Sequence, residues 1–237
     1  MKIFQENFSL LNMNDEKPIL SIETSESICG ACVYFNDTKY FESRIYLKNS
    51  HAEKLFEIID YVINSAGIKP NDLSSIAVSS GPGSFTGLRI GLSAAKGIAF
   101  GSSLPVVPVP TFEAMALQLT AALPDDSEFI IANKVNMEEI YFAKFKINSN
   151  NYIFVDNLQI IGHDAFRGRV KDTAVFGNVY YNKSSDKIET NCKFTAPSPL
   201  AVAVWSKNFG SELLTYDYDY LEPNYLKNFI IRGKKNG

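Results

Sequence analysis

The sequence predicts an α/β protein. Three observations carry that assignment. Short apolar runs bounded by turn residues alternate with stretches whose apolar residues recur every third or fourth position. A glycine-rich loop lies between one such run and one such stretch. The second half of the chain loosely echoes the order of the first.

Residues 18–22 read as a buried strand and residues 28–35 as a second. Asn36-Asp37 is a hairpin-type turn signal, and residues 40–46 form a third strand. The three suggest an antiparallel meander at one side of a sheet. Ser50-His51-Ala52-Glu53 is a capping box, in which the Ser and the Glu three residues on satisfy orphan N–H groups. The helix it opens runs to Ala66 and stops at Gly67. Leu55, Ile59, Val62 and Ala66 form one stripe, with Phe56 and Ile63 beside it and Ile58 and Tyr61 outside it. An apolar face this wide suggests burial on more than one side. Residues 73–79 are another buried strand, followed by a glycine-rich loop, a helix over 86–100, a strand over 104–109 and a helix over 111–123. Pro124-Asp125-Asp126 reads as a boundary. It divides the chain into a polar tail (1–17), a first lobe (18–124) and a smaller second lobe (125–237). Strands over 129–133, 140–146, 152–159 and 173–176 and a helix over 198–207 complete the second half.

Bulk composition narrows the function. Of 237 residues 46% are hydrophobic and 21% charged, an ordinary globular balance. Lys and Arg number 23 against 26 Asp and Glu, so the chain lacks the basic surplus of a protein that grips nucleic acid alone. No stretch approaches the roughly 20 apolar residues needed to cross a bilayer, and the first 17 residues lack the apolar core of a signal peptide. The expectation is a soluble, cytoplasmic protein. Cys29 and Cys32 have C-x-x-C spacing, but they lie in a strand-like run with no second pair, and Cys192 makes the count odd. Structural thiols are the favoured reading.

The densest signal is Ser80-Gly-Pro-Gly-Ser-Phe-Thr-Gly-Leu-Arg-Ile-Gly91. Its N–H groups at a helix N-terminus could hold an anion. The plainer reading is a tight turn with Ser84 or Thr86 as N-cap. The helix beyond it carries Gly87, Gly91, Ala95 and Ala99 at four-residue spacing, with Ala94, Gly97 and Gly101 besides. A glycine costs about 1 kcal/mol against alanine in a helix interior, so close approach of a neighbour is expected. That neighbour is the sheet, a second partner, or both.

Four stretches resemble the TsaB (YeaZ) family of the ASKHA superfamily. They are Ile19-Leu-Ser-Ile-Glu-Thr-Ser25, Ser50-His-Ala-Glu-Lys-Leu55, residues 76–91 with Ala95-Lys-Gly97, and Glu222-Pro-Asn-Tyr-Leu-Lys227. Glu23 stands where that family usually has Asp, and Lys134 and Asn136 stand at the Asp and Arg positions of its D-A-R-x-x-E-V-Y pattern. The resemblance implies two actin-like (ribonuclease H-like) lobes with mixed sheets flanked by helices. It implies a non-catalytic subunit that binds a TsaD-like catalytic partner for threonylcarbamoyl modification of tRNA, with a TsaE-like ATPase as third component. The first two helices would face the partner, through Leu55, Ile58, Ile59, Val62, Leu88, Gly91, Leu92, Ala95 and Ala99. Without a partner the same patch could close on a second copy as a homodimer. Transfer RNA would be met only through the complex. A nucleotide or anion loop would comprise Glu23, Thr24, Ser25, Gly83, Ser84, Thr86 and Arg89, giving weak ADP or ATP binding with no cofactor of the chain's own.

The alternative is a stand-alone ASKHA enzyme, a kinase or a glycoprotease-like peptidase. A metal site of that type needs acids from both lobes or paired histidines one helical turn apart. The chain offers Lys134 in place of an acid. His51 has Leu55 four residues on, and His163 reads as a surface residue in a glycine-rich loop. The Lys-containing end, Arg232 to Gly237, reads as a solvated tail.

Overall fold

A computed structural model describes residues 17–46, 51–170, 173–182, 185 and 187–226. Among them are two five-stranded sheets and five α-helices. The first sheet holds β1 (Ile19–Glu23), β2 (Ile28–Asn36), β3 (Lys39–Tyr46), β4 (Ser75–Gly81) and β5 (Val106–Pro110), in the order β3-β2-β1-β4-β5. β1, β2 and β3 form the antiparallel meander, and β4 and β5 join it in parallel. Parallel neighbours need crossovers, and two helices supply them. These are α1 (His51–Ala66) between β3 and β4, and α2 (Phe85–Ser102) between β4 and β5. α1 ends where Gly67 takes φ +68°, the left-handed stop its sequence announces. Ser50 of the capping box lies outside the described residues.

The second sheet holds β6 (Glu128–Lys134), β7 (Glu139–Asn148), β8 (Asn151–Gly162), β9 (Ala174–Asn182) and β10 (Lys187–Phe194), in the order β10-β9-β6-β7-β8. Its plan matches the first: a meander β6-β7-β8, a helix, α4 (His163–Val170), then β9 parallel to β6. The fifth strand differs, because β10 returns antiparallel to β9. Two expectations are corrected here. His163 opens α4 rather than sitting in a loop, and residues 187–194 form a strand that the sequence reading left out. Asp164 at the first turn and Arg167 and Arg169 at the last suit the helix dipole.

Two further helices join the sheets. α3 (Thr111–Thr120) packs Phe112, Met115, Ala116 and Leu119 on Phe129, Ile131 and Phe145 of the second sheet. α5 (Pro199–Phe209) follows the second sheet in sequence but sets Val202 and Trp205 against Ala77, Val107 and Val109 of the first. The first sheet is therefore covered on both faces. On the other face Leu55, Ile59 and Val62 of α1 and Leu92, Ala95 and Ala99 of α2 meet Leu20, Ile22, Ile76 and Val78. Each Leu, Ile or Val among them contributes about 1.5–3 kcal/mol when removed from water. Cys29 joins the α1/α2 side of this sheet and Cys32 the α5 side. An odd separation puts side chains on opposite faces of a strand, so these two thiols cannot pair. No helix among the described residues is long and apolar enough to cross a membrane.

Candidate functional site

The glycine-rich loop is built against the end of β1. Ser84 caps α2 by accepting from the Gly87 N–H at 3.2 Å. Its own N–H donates to the Ser25 carbonyl at 2.5 Å. The Thr24 hydroxyl donates to the Gly87 carbonyl at 2.7 Å. A methyl group at Gly83 would strike the Ser25 carbonyl, one at Gly87 the Thr24 carbonyl, and one at Gly91 the Thr24 hydroxyl. These three glycines therefore serve close approach within the chain. Gly97 and Gly101 differ, since a methyl there meets nothing within 4 Å. The Gly81 N–H donates to the Thr111 hydroxyl at 3.1 Å, so several of the loop's donors are already engaged.

Glu23 is fully buried beneath this loop. It accepts from the Ser25 N–H at 2.5 Å and from the Ser79 hydroxyl. Burial pushes its carboxyl up to about 7, against the pull of those donors. Glu26 lies three residues on, where the two sheets face each other. It accepts from the Asn133 amide of β6 at 3.4 Å and the Asn178 amide of β9 at 3.2 Å. Burial raises it too, to about 7, with the Glu23 charge adding to the effect. The Ser27 and Thr195 hydroxyls meet at 3.2 Å beside it. A cleft of 400 Å³ opens here, lined by Glu26, Ser27, His51, Ser84, Thr86 and Gly87 among others. The His51 ring is buried and its Nε2 lies 3.0 Å from the Ile28 carbonyl. No group of three His, Cys, Asp or Glu side chains able to hold a metal occurs among the described residues.

Of the loop residues named from the sequence, Glu23, Thr24, Ser25, Gly83, Ser84 and Thr86 gather at this junction, whereas Arg89 points away from it. Its Nε donates to the Tyr225 hydroxyl at 3.1 Å, and its guanidinium lies 3.9 Å from the centre of the Phe85 ring. Lys134 and Asn136 lie on the exposed β6–β7 hairpin. There Lys134 donates its N–H to Asn178 at 2.7 Å, and Asn136 bonds Glu139 at 2.5 Å. Glu26, Asn133 and Asn178 were missed in the sequence. Each is short-range featureless, and only the meeting of two sheets brings them together.

The expected interface residues need correction. Leu55, Ile58, Ile59, Val62, Leu88, Gly91, Leu92, Ala95 and Ala99 are all buried inside the chain. They hold α1 and α2 to the first sheet and cannot also form an outer surface. The outer face of the helix pair is made by other residues. Phe56 is 55% exposed, Tyr61 63%, Phe85 43% and Phe100 77%. Between the helices runs a groove of 540 Å³ lined by Ala52, Phe56, Phe85, Thr86, Arg89, Ile90, Ser93 and Ala94. The off-stripe position of Tyr61 and the flanking position of Phe56 were the legible signal for this face.

The C-terminal segment closes onto the same region. The Asn224 N–H donates to the Ser80 carbonyl at 2.7 Å, and the Tyr225 ring stacks on Phe85 at 5.0 Å. The Tyr141 hydroxyl of the second sheet donates to the Tyr225 carbonyl at 3.1 Å. Lys227 and the rest of the basic tail lie outside the described residues.

Comparison with known proteins agrees with this architecture. The profile of the family described as TsaD, tRNA N6-adenosine threonylcarbamoyltransferase, matches residues 46–199. The tRNA threonylcarbamoyladenosine biosynthesis protein TsaB of Haemophilus influenzae is 26% identical over 231 residues, covering 92% of this chain and 97% of that one. The protein of the same name from Bacillus subtilis is 37% identical over 98 residues, 41% of this chain and 43% of that one. Among solved structures, YeaZ from Pseudomonas aeruginosa superposes with a TM-score of 0.71 at 18% identity, covering 89% of this chain and all of that one. That likeness speaks for the fold, two actin-like lobes with mixed sheets flanked by helices. The chain thus belongs to the family that this profile describes as TsaD, and over nearly its full length it is similar to proteins named TsaB.

Proposed function

We propose that this chain takes part in threonylcarbamoyladenosine formation on tRNA as a non-catalytic subunit that binds and activates a TsaD-like transferase. One observation carries the proposal. The helix pair α1/α2 is packed on its inner face yet keeps exposed aromatics and an open apolar groove on its outer face. Large exposed apolar patches mark interaction sites. The TsaB names of its relatives identify the process. A TsaE-like ATPase joins the assembly, tRNA is held through the complex, and the free chain can close the same face on a second copy by two-fold symmetry. The chain needs no cofactor of its own. Support for that comes from the loop, whose Gly81, Ser84 and Gly87 N–H groups are spent on Thr111, Ser25 and Ser84. Weak ADP or ATP binding belongs to the assembled complex, and calorimetry with nucleotide on the free chain and on the complex checks it. The main test is co-expression with the TsaD-like protein of the same organism, followed by light scattering. A stable one-to-one complex that Phe56→Glu abolishes supports the proposal. Failure to form any complex with either nucleotide present defeats it.

A second reading has one observation in its favour. Two carboxyls raised to about 7 at a cleft are a pattern seen in catalytic acids and bases. A stand-alone ASKHA enzyme would turn over ATP or cleave peptide as the isolated chain, and Glu23→Gln or Glu26→Gln would abolish that turnover. Silence of the isolated chain in both assays disposes of it.

A further inference from the structure

Arg89 and Lys54, two cations of the helix pair, are held in different ways. Lys54 is committed to Glu57 at 2.9 Å. Arg89 has no carboxylate within ion-pair distance among the described residues, although Glu222 lines the same side pocket. It is nevertheless fixed. The Phe85 ring lies under the guanidinium, Tyr225 takes its Nε–H, and Tyr225 is itself stacked on Phe85 and tied by its carbonyl to Tyr141. With Nε spent, the two terminal nitrogens remain as a planar pair of donors, the geometry that matches a carboxylate. The side chain lines the apolar groove between α1 and α2 beside Ile90 and Ser93.

We propose that Arg89 is a preformed carboxylate receptor at the rim of the α1/α2 groove, and that the groove's occupant is a partner protein's apolar ridge carrying one Asp or Glu opposite it. This rests on the reading of that face as the partner surface and adds the chemistry the partner must bring. An arginine that already has its bound geometry loses little rotamer freedom on association. Stacked Arg and aromatic side chains are also the residue types that dominate interface energetics. The surrounding lining of Ala52, Phe56, Ile90 and Ala94 offers apolar contact and excludes water from the pair. An apolar groove with one cation fits a protein ridge better than a phosphate backbone, which seeks a row of cations.

The test uses the full chain and the co-expressed TsaD-like protein of the same organism, with affinity read by calorimetry. Arg89 is exposed, so its variants should keep the wild-type melting temperature. Arg89→Glu should weaken the complex about 100-fold. Arg89→Lys, which keeps the charge but loses the stack and the fork, should weaken it about 10-fold. Tyr225→Phe, which removes the hydroxyl that takes the Nε–H, should weaken it about threefold. An Asp or Glu of the partner changed to Arg should restore binding to Arg89→Glu. Undiminished binding by Arg89→Glu while Phe56→Glu abolishes it would overturn the carboxylate receptor and leave the interface standing. Undiminished binding by both would overturn the interface itself. A homodimer of the free chain that Arg89→Glu dissolves, with the heteromeric complex unaffected, would make the occupant a second copy. Loss of tRNA retention without loss of the protein complex would make it a phosphate. Either result overturns the proposal.

Discussion

The two halves of this molecule share one strand plan and finish it differently. In both, a three-stranded antiparallel meander leads through a helix to a parallel fourth strand. The first half builds its crossovers from helices of 16 and 18 residues, while the second uses an eight-residue helix and then pairs β10 antiparallel to β9. Their outer surfaces diverge in the same way. α1 and α2 turn Phe56, Tyr61, Phe85 and Phe100 outward, whereas α4 turns Asp164, Gly168 and Arg169 outward. Equivalent topology therefore does not give equivalent roles. A helix solvated by charge is complete as it stands, and a helix pair with aromatic outer rings is suited to being covered.

The comparison breaks most sharply if inner and outer faces are exchanged. Leu92→Glu puts a charge into the sealed side of α2 and should destabilise the chain by about 4 kcal/mol or unfold it. Phe56→Glu on the outer side should leave the urea midpoint nearly unchanged. Equal midpoints for the two would mean that the two sides have been confused.

Next in size is a pH effect at the junction of the halves. Glu23 and Glu26 have folded values near 7 against 4.5 in the unfolded chain. The folded state then binds more protons than the unfolded one between those values, so stability falls as pH rises. The contribution is fully present below pH 4.5 and lost through about 7. For Glu23 alone the shift is worth about 3 kcal/mol. Urea melts at pH 5 and pH 8 should show this loss, and Glu23→Gln should shrink it by the Glu23 share and leave that of Glu26. A loss of the same size in Glu23→Gln would remove Glu23 as its source.

Glycines sharpen the contrast within one helix. Gly91→Ala collides with the Thr24 hydroxyl and should cost about 2 kcal/mol, as overpacking does. Gly97→Ala enters open space and should gain up to about 1 kcal/mol from helix propensity. Thermal melts of the pair decide it, and a shared sign would contradict the assigned faces. Smallest of all, Arg169→Ala on the outer side of α4 should change stability by less than about 0.5 kcal/mol and leave partner affinity alone.

Much of this was legible in the sequence, and the gaps have physical causes. The capping pattern and Gly67 located α1, and the small residues after Ser84 located the packed helix α2. β10 was not legible because Lys187-Ile-Glu-Thr-Asn-Cys-Lys-Phe194 is mostly polar, and α4 because Gly162 and Gly168 read as loop. The interface was read on the wrong residues for a more general reason. An apolar stripe reports burial, and it does not distinguish burial by the chain's own sheet from burial by another protein. Leu55 and Leu92 therefore looked like a binding face, although the apolar side chains that these helices offer to solvent are the aromatic ones off the stripe. Glu26 with Asn133 and Asn178 left no trace because the pairing spans more than 100 residues.

The strap at Asn224 and Tyr225 has a consequence for the order of events during synthesis. All of α1, α2 and the first meander precede residue 103, yet the ring that stacks on Phe85 and steadies Arg89 arrives more than 120 residues later. While the chain is still being made, the groove can form with its arginine unsteadied. Recognition that depends on that arginine is thereby withheld from unfinished chains and granted only when both sheets are in place to hold the strap.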